Sequence, residues 1–484
     1  MSFLPALPLL VLLAALLCKR GAVASAAAGI GALLAVVWFD PRFAVDARAL
    51  LDVDLPVVAI LTVSVALVIA PGQILNAHLQ TAGVITAIGR RIERLPVSSM
   101  KMAALIVLGL APALESLTGF GVSLFFTVPV LLQLFSVKKA LLLALLGMNI
   151  MPWGTLALAT LLGAQLADES FAELAFATSL TSFVVFPVIG LLVFFVCREA
   201  DTRAADICFP LFTGLLLSAS LVFYNAFVAA QLAGVCAGLT TAALALLVEL
   251  VRRGPGVFAA PGASKKTDDE PLLRLLSAYL ILIALITVAN IGPVNAALQN
   301  LLRLQSGGVQ LAVFTSPGVF IFLTVIIMRA RRDAFDAGLK RARYPVAAIA
   351  LFVLFAQLHR ASGIFADLAA RLSELAAAQL TFAAPLLGML SGYATGSNVG
   401  GNALAMALQS DAGRQFGAPL AFAAVQNSAA GHAVFMSLPI ILLALSIAAP
   451  ADARALQSWL VRRALACAPL IYAALVAPFY LLIR

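Results

Sequence analysis

Charge is scarce in this sequence. Of its 484 residues, 11% are Asp, Glu, Lys or Arg and 63% are hydrophobic, whereas a soluble chain carries about a quarter charged residues. That shortage excludes an ordinary water-soluble domain. Histidine is limited to three residues, and the five cysteines contain no CxxC pair. Cys18, Cys197, Cys208, Cys236 and Cys467 therefore read as small packing residues, not as disulfides or thiolate ligands. Phosphate-binding P-loops, HExxH, GxSxG and paired acids inside apolar runs are also missing. The expectation is a protein that is not an enzyme, with no cofactor and no bound metal. Alternating segments of about ten residues, the mark of a membrane barrel, are absent as well.

Long apolar runs are what the sequence does have. Twelve read as spans, at about 3–17, 21–39, 56–78, 139–165, 174–196, 207–227, 230–251, 272–290, 310–328, 345–358, 419–449 and 464–483. About 20 apolar residues cross the hydrocarbon core as a helix, which satisfies its own backbone. The predicted fold is an all-α integral membrane protein. The run 3–17 lacks basic residues ahead of it and is followed by Lys19-Arg20. It reads as a retained helix, not a signal peptide.

Two shorter hydrophobic pairs, 102–135 and 380–410, are each interrupted by a Thr-Gly motif. The first is Glu115-Ser116-Leu117-Thr118-Gly119-Phe120-Gly121. The second is Ser391-Gly392-Tyr393-Ala394-Thr395-Gly396-Ser397-Asn398-Val399-Gly400-Gly401-Asn402. Asn149 follows Thr118 by 31 residues and Asn427 follows Thr395 by 32. His78 and Gly83 precede the first pair much as His359 and Gly363 precede the second.

Reading both pairs as re-entrant hairpins puts Lys19/Arg20, Arg90/Arg91/Arg94, Lys138/Lys139, Arg198/Arg203, Arg252/Arg253/Lys265/Lys266, Arg329–Arg343 and Arg454/Arg462/Arg463 on one side. That side is the cytoplasm by the positive-inside bias. Arg303, Arg360, Arg371 and Arg414 remain outside. A full crossing by either hairpin would reverse the bias. The same assignment explains the +9 net charge without nucleic acid. The hairpins then enter from opposite sides, as in an inverted repeat. The predicted divisions are N-terminal scaffold helices over 1–55, a first repeat over 56–251, a cytoplasmic linker over 252–271, a second repeat over 272–449 and a C-terminal helix over 450–484.

Glu115 is the acidic residue deepest within a proposed span or hairpin; Glu249 and Asp40 sit at span ends. A charge at mid-helix costs about 2.5–3.5 kcal/mol on insertion. Low polarity favours the neutral form, so Glu115 reads as a proton carrier, or else as a hydrogen-bonded prop for the hairpin tip. Helix starts at the tips expose N–H groups suited to a carboxylate. Gly119, Gly121 and Gly396 allow close approach, Phe120 covers the site or packs, and Thr118, Thr395, Ser397, Asn398 and Asn402 supply side-chain hydrogen bonds. The bland alternative is tight packing through small residues. Asn149 with Pro152 and Gly154, and Gln426-Asn427 with Gly431 and His432, read as unwound segments or kinks. His432 reads as a proton-transfer group or a structural hydrogen-bond partner.

These residues resemble the lactate permease family of bacterial membrane transporters. The likeness rests on Glu115-x-x-Thr118-Gly119-Phe120-Gly121-Val122 and Gly396-Ser397-Asn398-x-x-x-Asn402, and more loosely on Asn149-x-x-Pro152-x-Gly154 and the Gln426–His432 segment. The chain departs from the family pattern at Ser116, Ser123 and His432. The resemblance implies proton-coupled symport of a small 2-hydroxy monocarboxylate, lactate or glycolate, across the bacterial cytoplasmic membrane. The expected partners are the small anion, protons and membrane lipid, and self-association into a homo-oligomer stays open. Two other readings compete: a sodium-coupled or exchange carrier of dicarboxylates or sulfonates, and a passive anion channel.

Overall fold

A computed structural model describes residues 4–18, 20–84, 97–119, 121–253, 277–373, 377–450 and 452–483. Phe120, Lys19, Arg90, Arg91, Arg94, Lys265, Lys266 and nearly all of the expected 252–271 linker lie outside the described residues. The protein is an all-α multi-pass membrane protein. Among the described residues, eight helices are long and apolar enough to cross a membrane, or up to eleven when each sharply bent pair counts once. The reading of twelve spans exceeds this because two of them, 3–17 and 310–328, fold as shorter helices, Leu4–Leu17 and Pro317–Ile327.

The chain opens with α1 (Leu7–Leu17), α2 (Ala22–Phe39) and α3 (Leu55–Thr81). The first hairpin follows, its arms α4 (Ser99–Thr118) and α5 (Leu124–Leu134). Next come α6 (Val137–Leu146), α7 (Gly154–Ala167), α8 (Phe171–Thr181), α9 (Val185–Cys197), α10 (Cys208–Phe227) and α11 (Ala230–Arg253). After the linker, α12 (Ser277–Ala289) bends by 87° into α13 (Gly292–Leu301).

A departure from an all-helical chain comes next. β1 (Arg303–Ser306) and β2 (Val309–Ala312) form an antiparallel ribbon. The chain continues as α14 (Pro317–Ile327), α15 (Arg332–Ala361) and α16 (Ile364–Ser373). The second hairpin has arms α17 (Ala377–Thr395) and α18 (Asn398–Gln415). The last helices are α19 (Pro419–Ala433), α20 (Leu438–Ala448), α21 (Ala453–Ala466) and α22 (Ala468–Leu482).

The two long helices α3 and α15 lie against each other through the middle of the molecule. Small residues permit the approach: a Cβ on Gly338 would lie 2.6 Å from the Ile74 backbone. The sequence echoes between halves have backbone counterparts. Gly83 and Gly363, which follow α3 and α15, have φ of +68° and +74°. Gly119 and Gly396, at the two tips, have φ of +68° and +66°.

Three expected spans are broken. Val137–Leu146 and Met151–Ala167 meet at 57°, and α8 meets α9 at 43°. The second break follows from Pro187, which has no N–H to give the Phe183 carbonyl; Ser218 Oγ donates to that carbonyl at 2.7 Å instead. The third break corrects the sequence reading of Gln426–His432 as unwound. Those residues are helical within α19, and the break comes at Val434–Met436. Pro439 sets it, since a proline fits best in the first turn of the next helix.

One titratable group differs from expectation. Glu249 is buried, not near water, and pairs with Lys101 at 2.6 Å. His359 lies in the last turn of α15 and is buried there against Phe355 and Phe365.

Candidate functional site

Both hairpin tips reach one cavity of about 1110 Å³. Val122 and Phe125 line it from the first hairpin, and Tyr393 to Ser397 with Gly400 from the second. Gln73 and Asn76 on α3 and Phe352 on α15 form the opposite wall, while α20 contributes Leu438 to Ile440. Arg341, Tyr344 and Arg462 stand at the mouth, with Leu16 and Leu17. All five lie within a few residues of the basic clusters at Lys19/Arg20, Arg329–Arg343 and Arg462/Arg463. Two guanidinium groups beside a cavity whose lining carries no acidic residue among the described residues favour an anion.

The first tip is built around Glu115, which is fully buried. Its Oε1 accepts from the Gly121 N–H at 2.9 Å and its Oε2 from the Ser123 N–H at 3.2 Å. The carboxylate thereby satisfies donors that the start of α5 would leave open. Gly119 sits against the non-helical turn Thr155–Ala157; a Cβ there would come 1.7 Å from Thr155 Oγ1. Thr118 Oγ1 donates back to the Leu114 carbonyl at 2.6 Å and does not face the cavity.

At the second tip, Thr395 Oγ1 bonds the Ser391 carbonyl at 2.8 Å and the Ser397 carbonyl at 2.9 Å. Gly396 lies 2.9 Å, measured to an added Cβ, from Pro439. Ser397 caps α18 by accepting from the Gly400 N–H at 3.4 Å. Behind this tip the predicted amides converge. Asn398 Nδ2 and Asn402 Nδ2 both donate to Asn427 Oδ1, at 3.0 and 2.8 Å. Asn427 Nδ2 donates to Thr160 Oγ1 and Thr178 Oγ1, at 2.8 and 3.0 Å. Gln426 Nε2 reaches Ser391 Oγ at 3.0 Å and the Gly401 carbonyl at 3.2 Å, spanning both arms. Asn398 Oδ1 and Asn402 Oδ1 are buried without a hydrogen-bond partner among the described residues.

Asn149 and His432 meet elsewhere. His432 Nδ1 lies 3.3 Å from Asn149 Oδ1, and its Nε2 lies 3.0 Å from Ser182 Oγ. This pair ties α19 to the α6–α7 and α8–α9 breaks, away from the cavity lining. Of the predicted site residues, Thr395, Gly396 and Ser397 line the cavity. Asn398, Asn402, Gln426 and Asn427 support the tip from behind, and Glu115 and Gly121 brace the other tip. Gln73, Asn76, Arg341 and Arg462 were missed. Gln73 and Asn76 stand in an apolar helix three residues apart, and that spacing was the available signal.

Among known protein families, the L-lactate permease model matches residues 303–483. The match spans the second hairpin, α15 and the last four helices, and it bears out the family resemblance read from the motifs. A comparison with curated proteins gave no match. The protein is accordingly a multi-pass membrane protein whose residues 303–483 match a permease family.

Proposed function

Taking residues 303–483 as L-lactate permease sequence, we propose that the protein is a secondary active transporter. It carries a small 2-hydroxy monocarboxylate, such as lactate or glycolate, together with a proton, across a bacterial cytoplasmic membrane. The observation that carries this reading is the single cavity shared by both hairpin tips and flanked by Arg341 and Arg462. The carboxylate is taken up near Ser397 and the start of α18, where helix-end N–H groups favour an anion. Gln73 has no hydrogen-bond partner among the described residues, and its amide offers the donor and the acceptor that a 2-hydroxyl group needs.

Glu115 is the proposed proton carrier. Protonation removes its charge and weakens its acceptance of the Gly121 and Ser123 N–H groups, which couples proton uptake to the shape of the first tip. The test is uptake of radiolabelled L-lactate by proteoliposomes under an inward proton gradient, repeated under a sodium gradient. Proton-driven accumulation is expected. Uptake that no gradient can concentrate, without counterflow, would make the protein a channel.

The unpartnered oxygens Asn398 Oδ1 and Asn402 Oδ1 favour a second reading, since hard cations take oxygen ligands. In that reading transport is sodium-coupled and the anion a dicarboxylate or sulfonate. Accumulation driven by sodium alone would select it.

A further inference from the structure

The cavity wall facing the tips carries a file of three amides on α3. Gln73, Asn76 and Gln80 are spaced three and four residues apart and so lie along one face of the helix. Gln73 is 7% exposed and Asn76 2%, and both line the cavity. The adjoining Gly72 faces the first tip, where a Cβ would make ordinary contact with the Thr118 carbonyl oxygen at 3.8 Å. At the mouth, Arg341 Nη1 donates to Gln80 Oε1 at 3.1 Å. Gln80 Nε2 in turn donates to Asn76 Oδ1 at 3.1 Å.

The direction of this chain is forced. A guanidinium has donors and no acceptor. Gln80 must therefore turn its oxygen to Arg341 and its NH₂ to Asn76. Asn76 must then turn its oxygen to Gln80, which leaves its own NH₂ facing the cavity. Asparagine amides are ambiguous when seen alone, but here the arginine removes the ambiguity. Asn76 Nδ2 meets no acceptor among the described residues. It is a buried donor, aimed into the cavity and polarised by a cation two hydrogen bonds away.

We infer that Asn76 binds the transported anion from the α3 wall, and that Arg341 is a positioning residue that orients it through Gln80. This rests on the reading that the cavity takes a small carboxylate. Arg341 thus acts at a distance, by fixing which end of an amide the substrate meets. The same carboxylate would be held from the other side by the second hairpin tip.

Gln80→Glu tests the relay. The new carboxylate keeps Arg341 as a charged partner but has no N–H for Asn76. Asn76 then reverses, gives its NH₂ to the carboxylate and presents oxygen to the cavity. Measured by lactate uptake in proteoliposomes, KM should rise about tenfold, with the maximal rate and the melting temperature close to wild type. Asn76→Asp, which offers only acceptors, should raise KM in the same direction. A network that merely holds the fold together predicts the opposite, since Gln80→Glu improves the contact with Arg341. Unchanged KM in either variant, beside an active wild type, overturns the relay alone. A wild type with no saturable uptake of lactate, glycolate or propionate overturns the anion reading, and the relay with it.

Discussion

The two hairpin tips share a backbone and differ in chemistry. Each turns at a Thr-Gly pair whose glycine has a left-handed φ near +67°. The first is closed by its own side chain: Glu115 takes the N–H groups of Gly121 and Ser123, and Thr155 fills the space beneath Gly119. The second keeps Thr395, Gly396 and Ser397 on the cavity and secures itself from behind through Asn398, Asn402 and Asn427. The bend is common to both tips and the chemistry they carry is not. One tip holds an ionisable group out of water, and the other turns its helix start to the cavity.

Substitution of the matched glycines should break the likeness most severely. Gly119→Ala puts a methyl 1.7 Å from Thr155 Oγ1 at a left-handed φ. It should cost more than about 4 kcal/mol, and folded protein should be lost on size-exclusion chromatography. Thr155→Gly in the same chain should restore part of it. Gly396→Ala meets Pro439 at 2.9 Å and should yield folded protein, destabilised by about 1–2 kcal/mol for the left-handed alanine plus the Pro439 contact.

Glu115→Gln comes next. It retains one acceptor for the tip and should cost about 1–3 kcal/mol in thermal stability. Lactate counterflow should persist while accumulation driven by a pH gradient disappears. Normal pH-driven accumulation in this variant would remove Glu115 from the coupling mechanism.

Ser397→Ala should lower stability by only about 0.5–1 kcal/mol, the loss of a long cap bond. Its KM for lactate should nonetheless rise about fivefold, for want of a polar group on the cavity. Ser123→Ala, at the other tip, should leave KM unaltered. The smallest effect is expected at the mouth. Arg462→Gln should slow uptake about two- to threefold at low ionic strength, and the difference should vanish as salt screens the field.

The helix breaks at the two Thr-Gly pairs were legible because an interruption in an apolar run has few explanations in a membrane chain. The first break, at Asn149 and Pro152, was legible for the same reason. Its partner lies further on than the polar residues Gln426, Asn427 and His432 suggest, since these are helical. They are polar because they bond across helices, and Pro439 makes the break further on. The β1–β2 ribbon was hidden inside a stretch whose apolar residues read equally well as a helix start. Half of the cavity was also invisible. Gln73, Asn76 and Arg341 reach it from α3 and α15, and only the crossing of those helices brings them together.

The amides behind the second tip bear on how access can alternate. Gln426 clasps Ser391 on one arm and Gly401 on the other, Asn427 anchors Asn398 and Asn402, and Asn402 also reaches the Ala159 carbonyl at 2.9 Å. A flap that swung open on its own would strip these bonds where no water replaces them. The hairpin is thus a passenger rather than a door: any displacement of its tip must either carry α7 and α19 along or break these bonds.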